Sequence, residues 1–510
     1  MGGIGHCCYG LGDLTNTTNP IGRACDPYVH YHELGGHGIL YEHVDSANFD
    51  FSHSAGDSFA VILSDPESQI SGSDRFRNFP WTSIRRRCDR DVTAGWAWGG
   101  PNDQPFTPTD PAGYLAEQIL ATTHFRIYRS IGGDSTDINR KRFASRMMAY
   151  LILRAISTLT SATNPSNASG FADALMAVDL LNWTTEGVFG GAYNKVIRWS
   201  FEKQGLYQPA GAPLPPNVTT EGAPPPVDVY IDDGRHGEYQ FQPIHWNNTS
   251  IWNRRMADGL TVHEKPIIGS TNYIYVKIKN RGTEIANNVK VRGYHSRPGA
   301  GLLLPDDIQP LTTTELPAAG TVVAANNTEE KIIGPFEWIP EINAYGYDSI
   351  IMVVSADNDP SNIDNFTAGG ETIPDWRLVP NDNNIGQRNM VPVLGISQIK
   401  LTVRTGNRDI DGDNRVFLGF GGREFRCRKS NDNDANPFHL QNNTVTLIFG
   451  SGSNVEDSAI NDPRNPLMDI TDAANFPVYI RVQPKSNSWD IVSATVETVP
   501  PTSIFSIKYP

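Results

Sequence analysis

The chain has 510 residues, 39% of them hydrophobic and 19% charged, with 46 glycines and 36 prolines. That describes a folded chain of about three domains, rich in strands and turns, and excludes a disordered one. A formal charge of −14 argues against nucleic acid, whose phosphates need a basic surface; the run Arg85-Arg86-Arg87 reads as a solvated or ion-paired loop.

No apolar run approaches the roughly 20 residues of a membrane span. Met1-Gly-Gly-Ile-Gly-His-Cys-Cys lacks the basic start and apolar middle of a signal peptide. The sequence therefore leaves open a cytosolic chain or one whose leader is processed or missing. Cys7, Cys8, Cys25, Cys88 and Cys427 are too few for a disulfide scaffold and lack C-x-x-C spacing, though the first four could form one or two bridges.

Six of the 12 histidines fall within the first 53 residues, four of them in VHYHELGGHGILYEHV, Val29 to Val44. Zinc prefers imidazole nitrogens and carboxylate oxygens in a tetrahedron, and a hydrolytic site keeps one position for water. His32 and His37 are five residues apart, so a regular α-helix would project them roughly 140° apart. A π-type bulge brings them to one side, and Gly35-Gly36 relieves the crowding such a bulge creates. The plainer alternative is a glycine-rich loop in which these letters meet by chance. His30 and His43 read as surface or hydrogen-bonded side chains, with His43 a substitute for His53 if the helix bends; His6 is unrelated.

FSHSAGDSFAVILSD follows, with His53, Asp57 and a helix over Ser54–Asp65 ended by Pro66. Trp81, Trp96 and Trp98 pack under a long loop or line a pocket. Apolar residues then recur at three and four over Tyr114–Gly132, Arg140–Leu159, Gly170–Leu181 and Gly191–Leu206, with Gly205 as the last stop signal. Residues 1–208 are thus one mainly helical domain. Residues 209–226, loaded with proline, read as an extended semi-rigid linker.

Beyond it the period changes to two: NYIYVKIKNRG, NNVKVRGYHS and DSIIMVVSAD alternate apolar and polar, implying an all-β sandwich over 227–395. QIKLTVRTGN, RVFLGFGGREFRCR, TVTLIFGSGSN and FPVYIRVQP imply a second one over 396–510. RDIDGDN sets Asp409, Asp411 and Asp413 at alternate positions. That suits a hard cation such as Ca²⁺, but Gly412 is misplaced for an EF-hand loop and a solvated acidic turn is the preferred reading.

His32-Glu33-Leu34-Gly35-Gly36-His37 resembles the H-E-x-x-G-H motif of the dipeptidyl peptidase III family. The surrounding 200 residues resemble the thermolysin and fungalysin group of gluzincins, in which a second helix bearing E-x-x-x-D follows some twenty residues later. His53 takes the place of the ligand Glu and Asp57 that of the orienting Asp, while GAYNKVIRWSFEKQGLY is similar to the group's closing helix. The resemblance implies Zn²⁺ on His32, His37 and His53, Glu33 as general base, Asp57 orienting His32, and a protein or peptide substrate. It also implies a His and a Tyr steadying the oxyanion, for which Tyr114 or His124 offer themselves. The chain departs from the pattern in the added residue, in His53, and in having 31 residues before His32, where the group carries a β-rich lobe.

YVKIKNRGTEIANNVKV with IIMVVSADND is similar to CARDB-type immunoglobulin-like domains, and IKLTVRTGN with GDNRVFLGFGGREF and FPVYIRVQPKSNSWDIVSATV to PLAT-type sandwiches. These resemblances imply an extracellular protein whose β units meet protein, glycan or lipid-surface partners. The expectation is a zincin-like helical domain followed by two β-sandwiches, working as a secreted zinc metallopeptidase. The alternative is a retired peptidase scaffold that binds, or self-associates into homo-oligomers, through its β units.

Overall fold

The computed structural model describes residues 15, 26–44, 52–79, 86–94, 96, 118–160, 168–209, 211, 218, 220–296, 301–344, 346–483, 488–500 and 505–508. A helical amino-terminal part is followed by a β-rich part of several antiparallel sheets.

The first helical run begins at an Asp-Pro pair. Asp26 caps α1 (Pro27–His30), its Oδ1 accepting the Tyr28 N–H at 2.8 Å, and Pro27 sits at the first turn, where its missing donor costs nothing. The chain continues without a break into a π-helix, Tyr31–Gly38, and then α2 (Ile39–Val44). The winding expected of a single bulge is spread over eight residues. Helix α3 (Ser52–Ser64) packs on the π-helix at a glycine. A Cβ on Gly56 would lie 2.6 Å from the His32 carbonyl oxygen and 2.7 Å from its Nδ1.

Among the described residues four further α-helices follow: α4 (Gln118–Tyr128), which runs on into a π-helical turn (Arg129–Gly133), α5 (Ile138–Thr158), α6 (Ala168–Asp179) and α7 (Asn194–Glu202). Asp137 caps α5 by accepting the Asn139 N–H at 2.9 Å. Its buried face, Ala144, Met147, Met148, Leu151, Ile152, Ala155 and Ile156, follows the three-and-four spacing of the sequence. After α7, Gly205 adopts φ 83°, a conformation open to glycine. Next, the Gly222 N–H donates to the Glu202 carbonyl at 2.7 Å and the Ala223 N–H to that of Tyr207 at 3.0 Å. The end of the proline-rich stretch is therefore laid against α7 instead of spanning a gap.

In the first β unit β3 (Asn272–Asn280) pairs with β1 (Val229–Tyr230), β2 (Ile251–Arg254) and β7 (Lys331–Trp338). A second sheet runs in the order β10 (Ile385–Met390), β8 (Asp348–Ser355), β4 (Ala286–Ser296), β6 (Gln309–Val323). The short strands β5 (Leu303–Leu304) and β9 (Ile373–Pro374) pair apart from both. The two larger sheets share one core, with Ile274 and Val276 facing Ile350, Met352 and Val354.

Strand β8 corrects the sequence expectation. DSIIMVVSAD was expected to alternate, yet Asp348 to Val354 are all buried. Ile350, Met352 and Val354 enter the core between the sheets, whereas Ile351 and Val353 enter the core of the helical part. A strand covered on both faces needs apolar side chains on both. Helices and β unit are thus joined through a common hydrophobic core.

The last unit holds a sheet ordered β14 (Thr444–Gly450), β11 (Gln398–Thr405), β16 (Ile491–Val499), β17 (Phe505–Lys508) and another ordered β13 (Arg423–Arg426), β12 (Arg415–Phe420), β15 (Tyr479–Gln483). They bury a common core around Leu401, Leu418, Phe425 and Leu447. Arg255 Nη2 at 3.1 Å from Asp469 Oδ2 ties this unit to the preceding one. No helix among the described residues is long and apolar enough to cross a membrane.

Candidate metal centre

His32 and His53 come from different helices, the π-helix and α3. His32 Nε2 and His53 Nδ1 lie 3.4 Å apart, with the rings near parallel. On the other side of the His32 ring, Nδ1 is 2.9 Å from Asp57 Oδ1. His53 and Asp57 are four apart on α3, so one helical face presents both to the incoming ring. Gly56 lies between them, and its missing side chain leaves room for that ring.

Asp57 is completely buried and is shared. Arg86 Nε donates to its Oδ2 at 2.7 Å, and Nη2 stands 2.5 Å from the same oxygen. Burial by itself would raise the Asp57 pKa; the charges of Arg86 and then His32 outweigh it and hold the carboxyl below its ordinary value. A carboxylate kept ionised there orients the imidazole and leaves Nε2 as the nitrogen available to a metal.

Arg86 reaches the site on two segments paired side by side. The Cys88 N–H donates to the Phe76 carbonyl at 2.8 Å and the Asn78 N–H to that of Arg86 at 3.0 Å. The same pairing sets the Phe79 ring edge-on to His32, with centroids 5.4 Å apart. The arginine run reads in the sequence as solvated or ion-paired, and Arg86 and Arg87 are ion-paired, to Asp57 and Asp89. Nothing in the spacing singled out Arg86 as the partner of Asp57. Cys88 carries a free, buried thiol, so it takes no part in a disulfide.

Two nitrogens held by one zinc at about 2.0–2.1 Å across a tetrahedral angle stand about 3.3–3.4 Å apart. The His32–His53 separation of 3.4 Å is that of a long direct hydrogen bond between the rings and is also close to the spacing of two nitrogens on one zinc. The pair fits a zinc ion as two ligands with an orienting carboxylate behind one of them. Glu33, half-buried, is the neighbour of His32 on the π-helix. His37 follows His32 by five residues on that helix, whose i→i+5 bonding sets such residues one turn apart. The His37 side chain lies outside the described residues, as does Tyr114. Among the described residues no three His, Cys, Asp or Glu side chains converge as metal ligands would.

His124 is placed elsewhere. Ser58 Oγ donates to the Ser54 carbonyl at 2.6 Å and lies 2.8 Å from His124 Nδ1. The serine hydrogen is already engaged, so His124 Nδ1 must be the donor. Fully buried against Phe171, the ring is held neutral, its pKa pushed down by burial to about 3. It is a core histidine bonded to α3, without the exposure an oxyanion partner needs. His43 is exposed at the end of α2.

Trp96 lies under the Arg90 guanidinium at 4.5 Å, while Trp81 and Trp98 lie outside the described residues. The acidic turn of Asp409, Asp411 and Asp413 is pinned by Asn436, whose Nδ2 donates to the carbonyls of Asp411 and Asn414 at 2.9 Å each.

No family model matches the chain. Nor does any curated protein show significant similarity to it.

Proposed function

We propose that the helical part is a zinc-dependent metallopeptidase-like unit acting on protein or peptide substrates. One observation carries this reading: His32 Nε2 and His53 Nδ1 stand at the separation of two zinc ligands, with Asp57 on the far nitrogen of His32. His32, His53 and, from the π-helix, His37 would hold the ion. Zinc, when bound, supplies the positive charge that makes a water acidic and polarises a carbonyl. Glu33, beside His32, would accept the proton of an attacking water at its carboxylate. Asp57 keeps His32 in one tautomer, and Arg86 keeps Asp57 ionised. The two β units, read as CARDB-like and PLAT-like sandwiches of an extracellular protein, would serve binding.

Elemental analysis of the purified chain and cleavage of a peptide library test this. The expected result is one zinc per chain, lost in His53→Ala, and hydrolysis abolished in Glu33→Gln with zinc retained. Hydrolysis that persists under chelation, or is unchanged in Glu33→Gln, would defeat the reading. A second reading, a scaffold that binds zinc without turnover, is favoured by the engagement of His124 with Ser58 in the core. Zinc with no cleavage of any library member would select it.

A further inference from the structure

The loop that follows β2 leaves every residue of 256–262 exposed. Met256, Leu260 and Val262 are each more than half exposed, Val262 by 70%. Large apolar side chains gathered in water mark a surface that something covers. The polar groups of the loop, by contrast, turn inward. Trp252 Nε1 donates to the Leu260 carbonyl and Arg254 Nη1 to that of Val262, both at 2.7 Å. The Gly259 N–H donates to the Tyr275 hydroxyl at 3.2 Å and the Leu260 N–H to Asp258 Oδ1 at 3.0 Å. Asp258, the one charged residue of the seven, is held by Arg254 through Nε at 3.0 Å and Nη2 at 2.8 Å.

Strand register puts further exposed side chains at the same end of this β unit. Arg254 pairs with Tyr273 and Asn272 with Trp338, so Ile339 and Ile342, both at least half exposed, leave the first sheet where the loop does. The Trp338 and His295 rings, 6.1 Å apart, bring the matching end of the second sheet alongside, where the exposed Val391 follows β10.

A protein partner exchanges hydrogen bonds as well as apolar contact, whereas the main-chain groups named above are already bonded inward. Hydrocarbon makes the opposite demand, apolar side chains outward and main-chain groups satisfied from within. Charge selects the lipid: the loop is neutralised and the chain carries −14, so anionic headgroups repel it and zwitterionic ones do not.

We infer that this end of the first β unit inserts into the surface of a zwitterionic lipid bilayer, with Leu260, Val262 and Ile342 entering the acyl region. The inference does not rest on the peptidase reading, because none of these residues belongs to the zinc centre.

Flotation of the full chain with phosphatidylcholine vesicles on a density gradient tests it. Binding is expected, changed less than about twofold by raising salt and no tighter when phosphatidylserine is added. Leu260→Asp, Val262→Asp and Ile342→Asp should each weaken it at least about tenfold, since each CH₂ withdrawn from lipid is worth about fourfold. All three side chains are more than half exposed, so folding is kept; circular dichroism checks it, and zinc content should match the parent's. Absence of flotation, flotation that the three variants leave unchanged, or binding that needs phosphatidylserine and disappears in salt would overturn the inference. So would a concentration-dependent dimer, seen by sedimentation, that the variants abolish, since a second copy would then cover this surface.

Discussion

Replacing Gly56 by alanine sets two known effects against each other. In an exposed helix interior the change stabilises by about 0.5–1 kcal/mol, because glycine loses more backbone freedom on folding. On α3, however, the new Cβ would lie 2.6 Å from the His32 carbonyl oxygen, and ordinary contact begins at 3.4 Å. The π-helix would have to retreat by about 0.8 Å, and the three obstructing atoms all belong to His32, one of them backbone. Overpacking of this kind costs about 1–3 kcal/mol, so a net loss of about 1–2 kcal/mol is expected. The retreat also stretches the 2.9 Å contact of His32 with Asp57 and the 3.4 Å approach to His53. Urea unfolding at equilibrium reads the first effect, and zinc retention during dialysis the second. A Gly56→Ala protein that is more stable than the parent by the helix-propensity amount, and holds metal as well, would show that α3 and the π-helix do not meet as described.

Asp57→Asn leaves Arg86 buried beside a neutral group and should cost about 3–5 kcal/mol at pH 7. Because the folded Asp57 pKa lies below its ordinary value, its contribution is present above about pH 4 and lost as pH falls further. The stability difference between parent and variant, measured by urea unfolding, should therefore shrink in acid. Asp179 behaves oppositely: burial, only partly countered by the Tyr193 and Asn194 N–H groups, raises its pKa to about 6. It favours the folded state at low pH and ceases to do so as pH rises from about 4 to 6. Asp179→Asn should therefore stabilise the protein by about 2–3 kcal/mol at pH 7 and leave its melting temperature unchanged near pH 4. Arg281→Ala removes the partner of Glu202 and Asp228 where α7 meets the β unit, and a loss of about 3–5 kcal/mol is expected. With one core spanning helices and β8, helical dichroism and tryptophan fluorescence should still change together on unfolding; two separate transitions would contradict the shared core.

The α5 face and the alternation of much of β3 could be read directly, because each repeats the period of its own backbone. So could the need for a wider turn between His32 and His37, since residue spacing is an angle once a helix is assumed. The double burial of β8 was harder: a short apolar run has the same letters whether one face or two are covered, and the second cover comes from helices more than a hundred residues earlier.

What the chain determined locally was periodicity, the Asp-Pro start of α1, the helix stop at Gly205 and the pairing of His53 with Asp57 on one face. What only tertiary structure decided was which side chains from distant segments arrive at those positions. Arg86 reaches Asp57 through the pairing of 76–79 with 86–88, and His124 turns to Ser58 in the core. The physical reason is that backbone period acts over a few residues, whereas a buried charge or ring takes whichever partner the packing of separate segments brings within about 3 Å.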